Sequence, residues 1–192
     1  MEKKELELYI HIPFCVRKCN YCDFLSFPAD EDTQRQYVKA LCKEIFYYGA
    51  HCRDYVVSTV YIGGGTPSWL WESDMAAILD AIQKSFSLLP EAEVSIECNP
   101  GTVTAQKFAV YRQSGINRIS LGLQSAQNVE LKMLGRIHTW EQFLKTYELA
   151  RSGGFSNINV DLMSSLPGQH IETYADSLQK VCRLKPEHIS AY

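Results

Sequence analysis

Short apolar runs alternate with longer amphipathic segments along almost the whole chain. Alternating or β-branched runs predict strands at 6–12, 56–62, 93–98, 117–121, 157–163 and 187–192. Apolar residues at helical spacing predict helices at 31–48, 71–88, 104–114, 128–134, 139–152 and 171–183. Gly49 and Gly115 follow two of these helical segments and predict where those helices end.

Repeated strand–helix units indicate an α/β protein, because a strand followed by a helix is usually followed by a parallel neighbour. Six such units are too many for a small Rossmann half and too few for a closed eight-stranded barrel. The pattern therefore predicts a partial, open (β/α)6 TIM-like barrel, with parallel strands and outer helices.

The composition is that of a soluble globular protein with one substantial domain: 192 residues, 46% hydrophobic and 21% charged. A net charge of −3 provides no general attraction to nucleic acid or to anionic membranes. No apolar run approaches the ~20 residues that span a bilayer, and the charged start Met1-Glu-Lys-Lys-Glu5 does not resemble a signal peptide. Seven cysteines without predicted export lead us to expect a reducing, cytoplasmic location.

Three cysteines stand close together after the first predicted strand, in Cys15-Val-Arg-Lys-Cys19-Asn-Tyr-Cys22. This spacing lets three thiols converge on one metal centre from a single loop. A closed zinc site or an ordinary iron–sulfur cluster uses four protein ligands. Three cysteines therefore favour a four-iron cluster with one iron open to another ligand. The other cysteines are predicted to be ordinary buried or half-buried residues: Cys42, Cys52, Cys98 and Cys182.

Three other interpretations of the cysteine motif remain open. Zinc is one, with His11 as the fourth ligand, although the alternation of a strand lets His11 point away from the loop. The i, i+4, i+7 spacing is also that of one helix face, which would make the cysteines buried apolar residues, but Pro13 and Asn20-Tyr21 disfavour a helix there. Disulfides fit poorly with an odd number of cysteines.

Other residues that can carry chemistry also follow the predicted strands. Gly63-Gly64-Gly65-Thr66 follows the second strand, Glu97 ends the third, Gln124 follows the fourth with Arg136 in the next segment, and Asp161 ends the fifth. The carboxyl ends of parallel strands share one rim, so we expect these groups to meet there. The glycines let the backbone approach a ligand and offer N–H donors, without the Gly-Lys-Ser/Thr ending of a phosphate loop. The two carboxylates must be solvated, paired or ligand-bound, since an unpaired buried charge is costly.

The stretch Tyr9-Ile-His-Ile-Pro-Phe-Cys15, with the spacing to Cys19 and Cys22, resembles the radical S-adenosylmethionine (SAM) superfamily. Within it, the stretch is similar to the oxygen-independent coproporphyrinogen III oxidases and the related HemW-type heme chaperones. The resemblance covers nearly the whole chain and implies a radical SAM core domain over 1–192. It also implies a [4Fe-4S] cluster on the three cysteines, whose open iron chelates SAM. An electron from such a cluster can cleave SAM to methionine and a 5′-deoxyadenosyl radical.

The resemblance further implies the residues that bind the cofactors. The SAM contacts carried over from matching motif positions are Tyr9, Tyr21, Gly64, Gly65, Thr66, Glu97, Gln124, Arg136 and Asp161. Phe24 joins this cofactor-binding set. The oxidases continue with Cys-x-Cys after the third cluster ligand, whereas this chain has Cys22-Asp-Phe24, which matches the chaperone branch.

The resemblance therefore implies a chaperone that binds a cluster, SAM and heme and passes heme to a client protein. An electron donor is also required if SAM is cleaved. The alternatives are a coproporphyrinogen III oxidase, which decarboxylates propionates by radical chemistry, and a zinc-binding module. His11 and His138 are candidate heme ligands, although such residues are more often hydrogen-bonded rim or surface histidines. The His-Asn-x-x-Tyr-Trp element of the chaperone branch is absent and the chain stops in the sixth strand, so we expect a truncated form of the family.

Overall fold

A six-stranded parallel sheet forms the centre of the computed structural model, which describes residues 4–192. The strands are β1 (Lys4–Ile12), β2 (Tyr55–Gly64), β3 (Leu88–Cys98), β4 (Arg118–Gln124), β5 (Ile158–Leu162) and β6 (His188–Ala191). Each strand pairs with the next one in the chain, so β1 and β6 are the edges of an open sheet. The predicted open (β/α)6 architecture is confirmed. Residues 1–3, part of the charged start that does not resemble a signal peptide, lie outside the described residues.

Helices connect the strands throughout the described part of the chain. They are α1 (Glu31–His51), α2 (Glu72–Ser85), α3 (Ala105–Gln113), α4 (Asn128–Met133), α5 (Trp140–Ser152) and α6 (Ile171–Arg183), with a 3-10 turn at Pro67–Trp69. Thr139 and Gln142 form a reciprocal capping box at the start of α5, which satisfies backbone donors that the helix itself leaves unpaired. Within residues 4–192 no helix combines the length and the apolar character needed to cross a membrane.

The hydrophobic core lies between the sheet and its helices. Strand β4 illustrates how burial in this core determines which way the side chains of a strand point. Ile119, Leu121 and Leu123 are fully buried within the hydrophobic core. The alternate positions Ser120 and Gln124 point to the other face, because successive side chains of a strand alternate, and both border a cavity there. Packing against the helices therefore fixes which residues of β4 face the cavity.

The predicted end of the first helix at Gly49 is wrong. Helix α1 continues to His51, and Gly49 is buried in its last turn. A Cβ at Gly49 would lie 2.5 Å from the Cβ of Ser85 at the end of α2, far closer than real Cβ contacts. Gly49 therefore permits the close approach of two helices rather than ending one.

The boundary between the second helix and the third strand also differs from the prediction. Helix α2 ends at Ser85 rather than at 88, because Phe86 adopts an extended backbone. Strand β3 begins at Leu88 rather than at 93, and Leu88 pairs with Val57. The register with β2 shifts just after this pair, so Pro90 falls in an irregular stretch. Because proline has no N–H to donate, this position avoids the loss of a regular hydrogen bond between the strands.

Candidate functional site

A cavity of about 600 Å³ opens at the carboxyl ends of the strands. Most of the predicted site residues form its wall: Cys15, Cys19, Tyr21, Cys22, Phe24, Gly64, Gly65, Thr66, Glu97, Gln124, Arg136 and Asp161. They come from the ends of five successive strands and the segments that follow them. The prediction that these groups share one rim is confirmed.

The cysteine loop is closed at its base by the backbone on either side. Phe14 and Phe27 form an isolated parallel bridge, in which Cys15 N–H donates to the Phe27 carbonyl (3.1 Å) and Phe27 N–H to that of Pro13 (2.9 Å). Phe14 is buried and packs edge-on against Phe27 and Tyr37 of α1. The aromatic anchor therefore fixes the point at which the loop leaves β1.

The middle of the cysteine loop is attached to the end of α4 and to the segment that follows it. Asn20 donates twice, from its backbone N–H to the Leu134 carbonyl (3.0 Å) and from Nδ2 to that of Met133 (2.9 Å). Arg17 Nη2 donates to the Gly135 carbonyl (3.3 Å). These bonds hold the cysteines against the segment that carries Arg136.

All three thiols lie on the wall of one cavity, which is a requirement for sharing an iron–sulfur cluster. Soft thiolates are the usual ligands of such clusters, and each cysteine binds a different iron, so their sulfurs need not meet at one point. Among residues 4–192, no three His, Cys, Asp or Glu side chains are arranged to hold one metal ion. The zinc alternative also lacks its fourth ligand. His11 Nδ1 lies 3.2 Å from the Tyr9 hydroxyl and Nε2 lies 3.0 Å from the Leu25 carbonyl oxygen, so both ring nitrogens are engaged.

The sequence predicted that the glycine loop offers N–H donors to a ligand, but three of these donors are bonded within the protein. Gly64 N–H donates to Glu97 Oε2 (3.1 Å), Gly65 N–H to Ile12 O (2.8 Å) and Thr66 N–H to Phe14 O (2.7 Å). Gly64 has a φ of 119°, a conformation that L side chains rarely adopt. The loop therefore positions Glu97 and the start of the cysteine loop, and its glycine is required by the backbone.

Glu97 presents a carboxylate to the cavity without a salt bridge in the described part of the chain. The Tyr61 hydroxyl donates to Oε1 (2.7 Å), and Gly64 N–H donates to Oε2. Burial raises the pKa of Glu97, while these two hydrogen bonds oppose the rise. Of the three states that the sequence left open for Glu97, the ion-paired one is therefore not observed within residues 4–192. A held carboxylate without a cationic partner suits a ligand that carries an ammonium group.

Asp161 is oriented by polar side chains of its own strand, β5, and of the neighbouring strand β4. Asn159 Nδ2 donates to Oδ1 (2.8 Å) and Ser120 Oγ donates to Oδ2 (3.4 Å). Asn159 is itself fixed, because its Oδ1 accepts a hydrogen bond from Ser190 Oγ (3.0 Å) on β6. Burial raises the pKa of Asp161, and the hydrogen bond from Asn159 opposes this most. The side chain is therefore anchored rather than free in solvent.

Arg136 reaches back to the cysteine loop instead of lying in solvent as an ordinary helix-end residue would. Its Nη2 donates to Asn99 Oδ1 (2.7 Å) and to the Gly122 carbonyl (2.6 Å). Its Nη1 lies 3.6 Å from Cys19 Sγ and 3.5 Å from the Tyr21 hydroxyl. Burial raises the pKa of Tyr21 to about 12, although Arg136 opposes the shift. Arg136 thus connects the cysteine loop to the ends of β3 and β4.

Gln124 is the last residue of β4, which runs beyond its predicted end at 121. Its φ of 75° lies in the left-handed region, which is uncommon for residues other than glycine. The pairing of β4 with β5 shifts between Leu121 and Gln124, and Met163 N–H donates to the Gln124 carbonyl (2.9 Å). The surrounding sheet therefore holds this strained residue at the rim, as is typical of functional sites.

Tyr9 and the two candidate heme ligands lie outside the cavity wall. Tyr9 is 59% exposed and stacks on Tyr61, with ring centroids 6.2 Å apart. His138 is buried, with Nε2 3.3 Å from the Leu123 carbonyl oxygen, and burial lowers its pKa to about 3. His138 is therefore neutral and enclosed. Because His138 is enclosed and both ring nitrogens of His11 are engaged, neither histidine presents an accessible, unoccupied nitrogen to heme.

The sequence did not single out Tyr61 or Asn99 as functional side chains. Tyr61 holds Glu97, and Asn99 accepts from Arg136 and donates to Thr66 Oγ1 (2.8 Å). The sequence contained an indication for each residue. Tyr61 lies two residues before Gly63, so in a strand the two positions face the same side of the sheet, and Asn99 directly follows β3.

The remaining cysteines lie outside the cavity wall except for Cys98, which is buried. Burial raises the pKa of the Cys98 thiol to about 12, which makes it unreactive. Cys42 and Cys52 are partly exposed, as expected. Cys182 is exposed, and its predicted burial is wrong, because it lies on the exposed side of α6 whereas the preceding Val181 is buried.

Comparisons with known proteins agree with this arrangement. The family model of the radical SAM superfamily matches residues 9–181. The heme chaperone HemW of Escherichia coli (strain K12) is 41% identical over 188 residues, which cover 97% of this chain and 50% of the relative. The heme chaperone HemW of Bacillus subtilis (strain 168) is 35% identical over 187 residues, which cover 96% of this chain and 49% of the relative. The chain spans about half the length of the curated relatives it matches.

Solved structures give the same fold. Coproporphyrinogen III oxidase (HemN) from Escherichia coli, described as a radical SAM enzyme, superposes with a TM-score of 0.90 at 29% identity. That match covers all of this chain and 44% of the oxidase chain. Methylornithine synthase (PylB) superposes with a TM-score of 0.66 at 13% identity, over all of this chain and 53% of that one, which is a likeness of fold alone.

Proposed function

The chain belongs to the radical SAM superfamily, and we propose that it forms the cluster- and SAM-binding core of a heme chaperone. One observation carries this proposal: three thiols of one loop face the same cavity as the carboxylates of Glu97 and Asp161. Relatives named heme chaperones match almost the whole chain at 34–41% identity. The observed fold and the family both support a cluster with an open iron.

In this proposal Cys15, Cys19 and Cys22 each bind one iron of a [4Fe-4S] cluster, and SAM coordinates the fourth iron. The cluster supplies one-electron chemistry when it is bound. Glu97 would accept a hydrogen bond from the amino group of SAM, since its carboxylate is held by Tyr61 and Gly64 and forms no ion pair with another described residue. The remaining SAM contacts would come from the predicted set on the cavity wall.

Heme binding, transfer to a client and a cytoplasmic location complete the proposed function. The names of the relatives and an apolar surface beside the cysteines support heme binding and transfer, and the seven free cysteines support the location. Phe24 is 68% exposed and Leu25 is 76% exposed, immediately after Cys22. Contiguous exposed apolar surface marks binding sites, and these two adjacent side chains suit the planar, largely apolar ring of a porphyrin. An electron donor enters the proposal only if SAM is cleaved.

Coproporphyrinogen III oxidase activity is the second candidate, favoured by the close superposition on the oxidase structure. The two candidates differ at position 24, where this chain has a phenylalanine in place of the further cysteine of the oxidase pattern. They also differ in outcome, because the oxidase consumes SAM and releases decarboxylated product whereas a chaperone need not.

The test is anaerobic reconstitution with iron and sulfide, followed by EPR of the reduced protein with and without SAM. We expect a four-iron signal that changes when SAM is added. Heme titration should then show binding, and incubation with coproporphyrinogen III should yield neither 5′-deoxyadenosine nor decarboxylated product. Turnover of coproporphyrinogen III would select the oxidase instead.

Two cysteine variants control this experiment. Cys19→Ala should lose the brown colour and nearly all cluster iron, because two thiolates cannot hold the cluster. Cys182→Ala should keep both, because Cys182 is exposed and lies outside the cavity wall. Full iron content in Cys19→Ala, or a folded wild type without any four-iron signal, would contradict the proposal.

A further inference from the structure

Two of the three motif cysteines accept hydrogen bonds from side chains on other elements. Thr66 Oγ1 donates to Cys15 Sγ at 3.4 Å, and Arg136 Nη1 lies 3.6 Å from Cys19 Sγ. Cys22 Sγ has a longer contact of 3.9 Å to Ser26 Oγ, a hydroxyl that also faces the Phe24 carbonyl. The surroundings of the three sulfurs are therefore unequal.

The Asn99 side chain connects the two donors. Arg136 Nη2 donates to Asn99 Oδ1 (2.7 Å), and Asn99 Nδ2 donates to Thr66 Oγ1 (2.8 Å). Arginine has no acceptor, so the amide oxygen of Asn99 must face Arg136 and its NH₂ group must face Thr66. Because Thr66 Oγ1 accepts this bond, its own proton is free to point at Cys15 Sγ.

Asn99 is itself held firmly by buried groups. Its N–H donates to Ser68 Oγ (3.1 Å), and its carbonyl accepts from Thr102 Oγ1 (2.8 Å). The buried Lys107 ammonium donates to the carbonyl oxygens of both Ser68 (2.8 Å) and Thr102 (3.0 Å). This network fixes the backbone from which the amide projects.

We propose that Asn99 is a positioning residue, which aims Thr66 and Arg136 at the sulfurs of Cys15 and Cys19 and so raises the reduction potential of the bound cluster. Hydrogen bonds to cluster sulfurs raise the potential because they stabilise the extra negative charge of the reduced state. The inference rests on the cluster-binding part of the proposed function. It adds a role that neither Thr66 nor Arg136 has as a SAM contact.

The test is the midpoint potential of the reconstituted cluster in Asn99→Asp, without SAM. Aspartate keeps the acceptor for Arg136 but replaces the NH₂ donor by an oxygen. The Thr66 hydroxyl would then donate to this oxygen instead of to Cys15. We expect at least a tenfold lower ratio of reduced to oxidised cluster at a fixed applied potential, equivalent to a fall of about 59 mV for one electron.

Thr66 variants separate this mechanism from the added charge of aspartate. Thr66→Val should lower the potential in a protein of nearly unchanged shape, and Thr66→Ser should restore it. In a Thr66→Val background, Asn99→Asp should cause a smaller fall than in the wild type, because the donor it would misdirect is already gone. Ser26→Ala is the matched control at Cys22 and should shift the potential little.

The outcomes are distinguishable. A wild type that takes up no four-iron cluster defeats the proposed function and this inference together. A normal wild-type cluster whose potential is unchanged by Thr66→Val, or whose response to Asn99→Asp is equal in both backgrounds, defeats the inference alone. If Asn99→Asp does not fold, the Thr66→Val and Thr66→Ser pair still decides the role of the hydroxyl at Cys15.

Discussion

The surroundings of Glu97 indicate a bound ligand more directly than those of any other residue of the site. Its carboxylate is held by Tyr61 and Gly64, yet among the described residues no Lys or Arg forms an ion pair with it. Burial raises its pKa, and the negative charge of Asp161 adds to the effect while His11 opposes it. The protein thus keeps a charge that is unfavourable without a cationic partner.

Glu97→Gln should therefore stabilise the ligand-free protein and weaken SAM binding at least tenfold. The amide can still accept from Gly64 N–H and can donate to the Tyr61 oxygen, so its hydrogen bonds are retained. We expect a gain of about 1 kcal/mol at neutral pH, or roughly 2–4 °C in Tm. The measurements are thermal unfolding without ligand and SAM titration of the reconstituted protein.

The pH dependence gives this prediction its control. A carboxyl with a raised pKa in the folded state binds its proton more tightly there, so its unfavourable effect on stability develops as pH rises from the ordinary glutamate range through the raised pKa. Below that range both states are protonated, and the advantage of Glu97→Gln should vanish. An advantage that is equal at acid and neutral pH would contradict this explanation.

Single residues also show the limit of inference from sequence. The cysteine spacing and the strand-end positions of Glu97 and Asp161 predicted the composition of the cavity wall. Asn99 and Tyr61 were missed because their roles depend on partners that lie 33 to 37 positions away in the chain. Hydrogen bonds between distant segments leave no periodic signal in a sequence.

At the scale of elements, a glycine after an apolar helical pattern has two different structural roles in this chain. Gly115, with φ 95°, follows helix α3 as predicted. Gly49 instead lies inside α1, where a Cβ would meet Ser85 of α2. Periodicity predicts that a helix exists, but the packing distance between two helices depends on the folded structure. For the same reason the shift in register that accommodates Pro90 in β3 could not be predicted.

Gly49→Ala should destabilise the protein even though alanine is the better helix former. The new methyl would lie 2.5 Å from Ser85 Cβ and 2.7 Å from its carbonyl oxygen, so α1 and α2 must move apart. Overpacking of this kind typically costs about 1–3 kcal/mol. Urea unfolding should show the loss, whereas Ala50→Ser at the exposed neighbouring position should change stability by about 0.5 kcal/mol or less. Equal effects of the two variants would contradict the close packing at Gly49.

At the scale of the whole molecule, the site joins the first and second halves of an open sheet. The cysteine loop follows β1, yet Arg17 and Asn20 bond to carbonyls that lie 118 and 113 positions further along the chain. Strand–helix alternation was sufficient to predict this architecture, because parallel strands bring their carboxyl ends to one rim. A ligand bound at that rim contacts segments that unfolding would separate.

SAM binding should therefore stabilise the entire fold of the cluster-loaded protein. At a SAM concentration one hundred times its dissociation constant, binding to the folded state alone adds about 2.7 kcal/mol, which corresponds to a rise in Tm of roughly 5–10 °C for a chain of this size. Anaerobic thermal unfolding with increasing SAM measures the effect. Cys182→Ala should respond like the wild type, whereas Cys19→Ala should lose most of the response because it lacks the open iron. An equal rise in Cys19→Ala would mean that SAM binds to the cavity without the cluster, through the protein side chains alone.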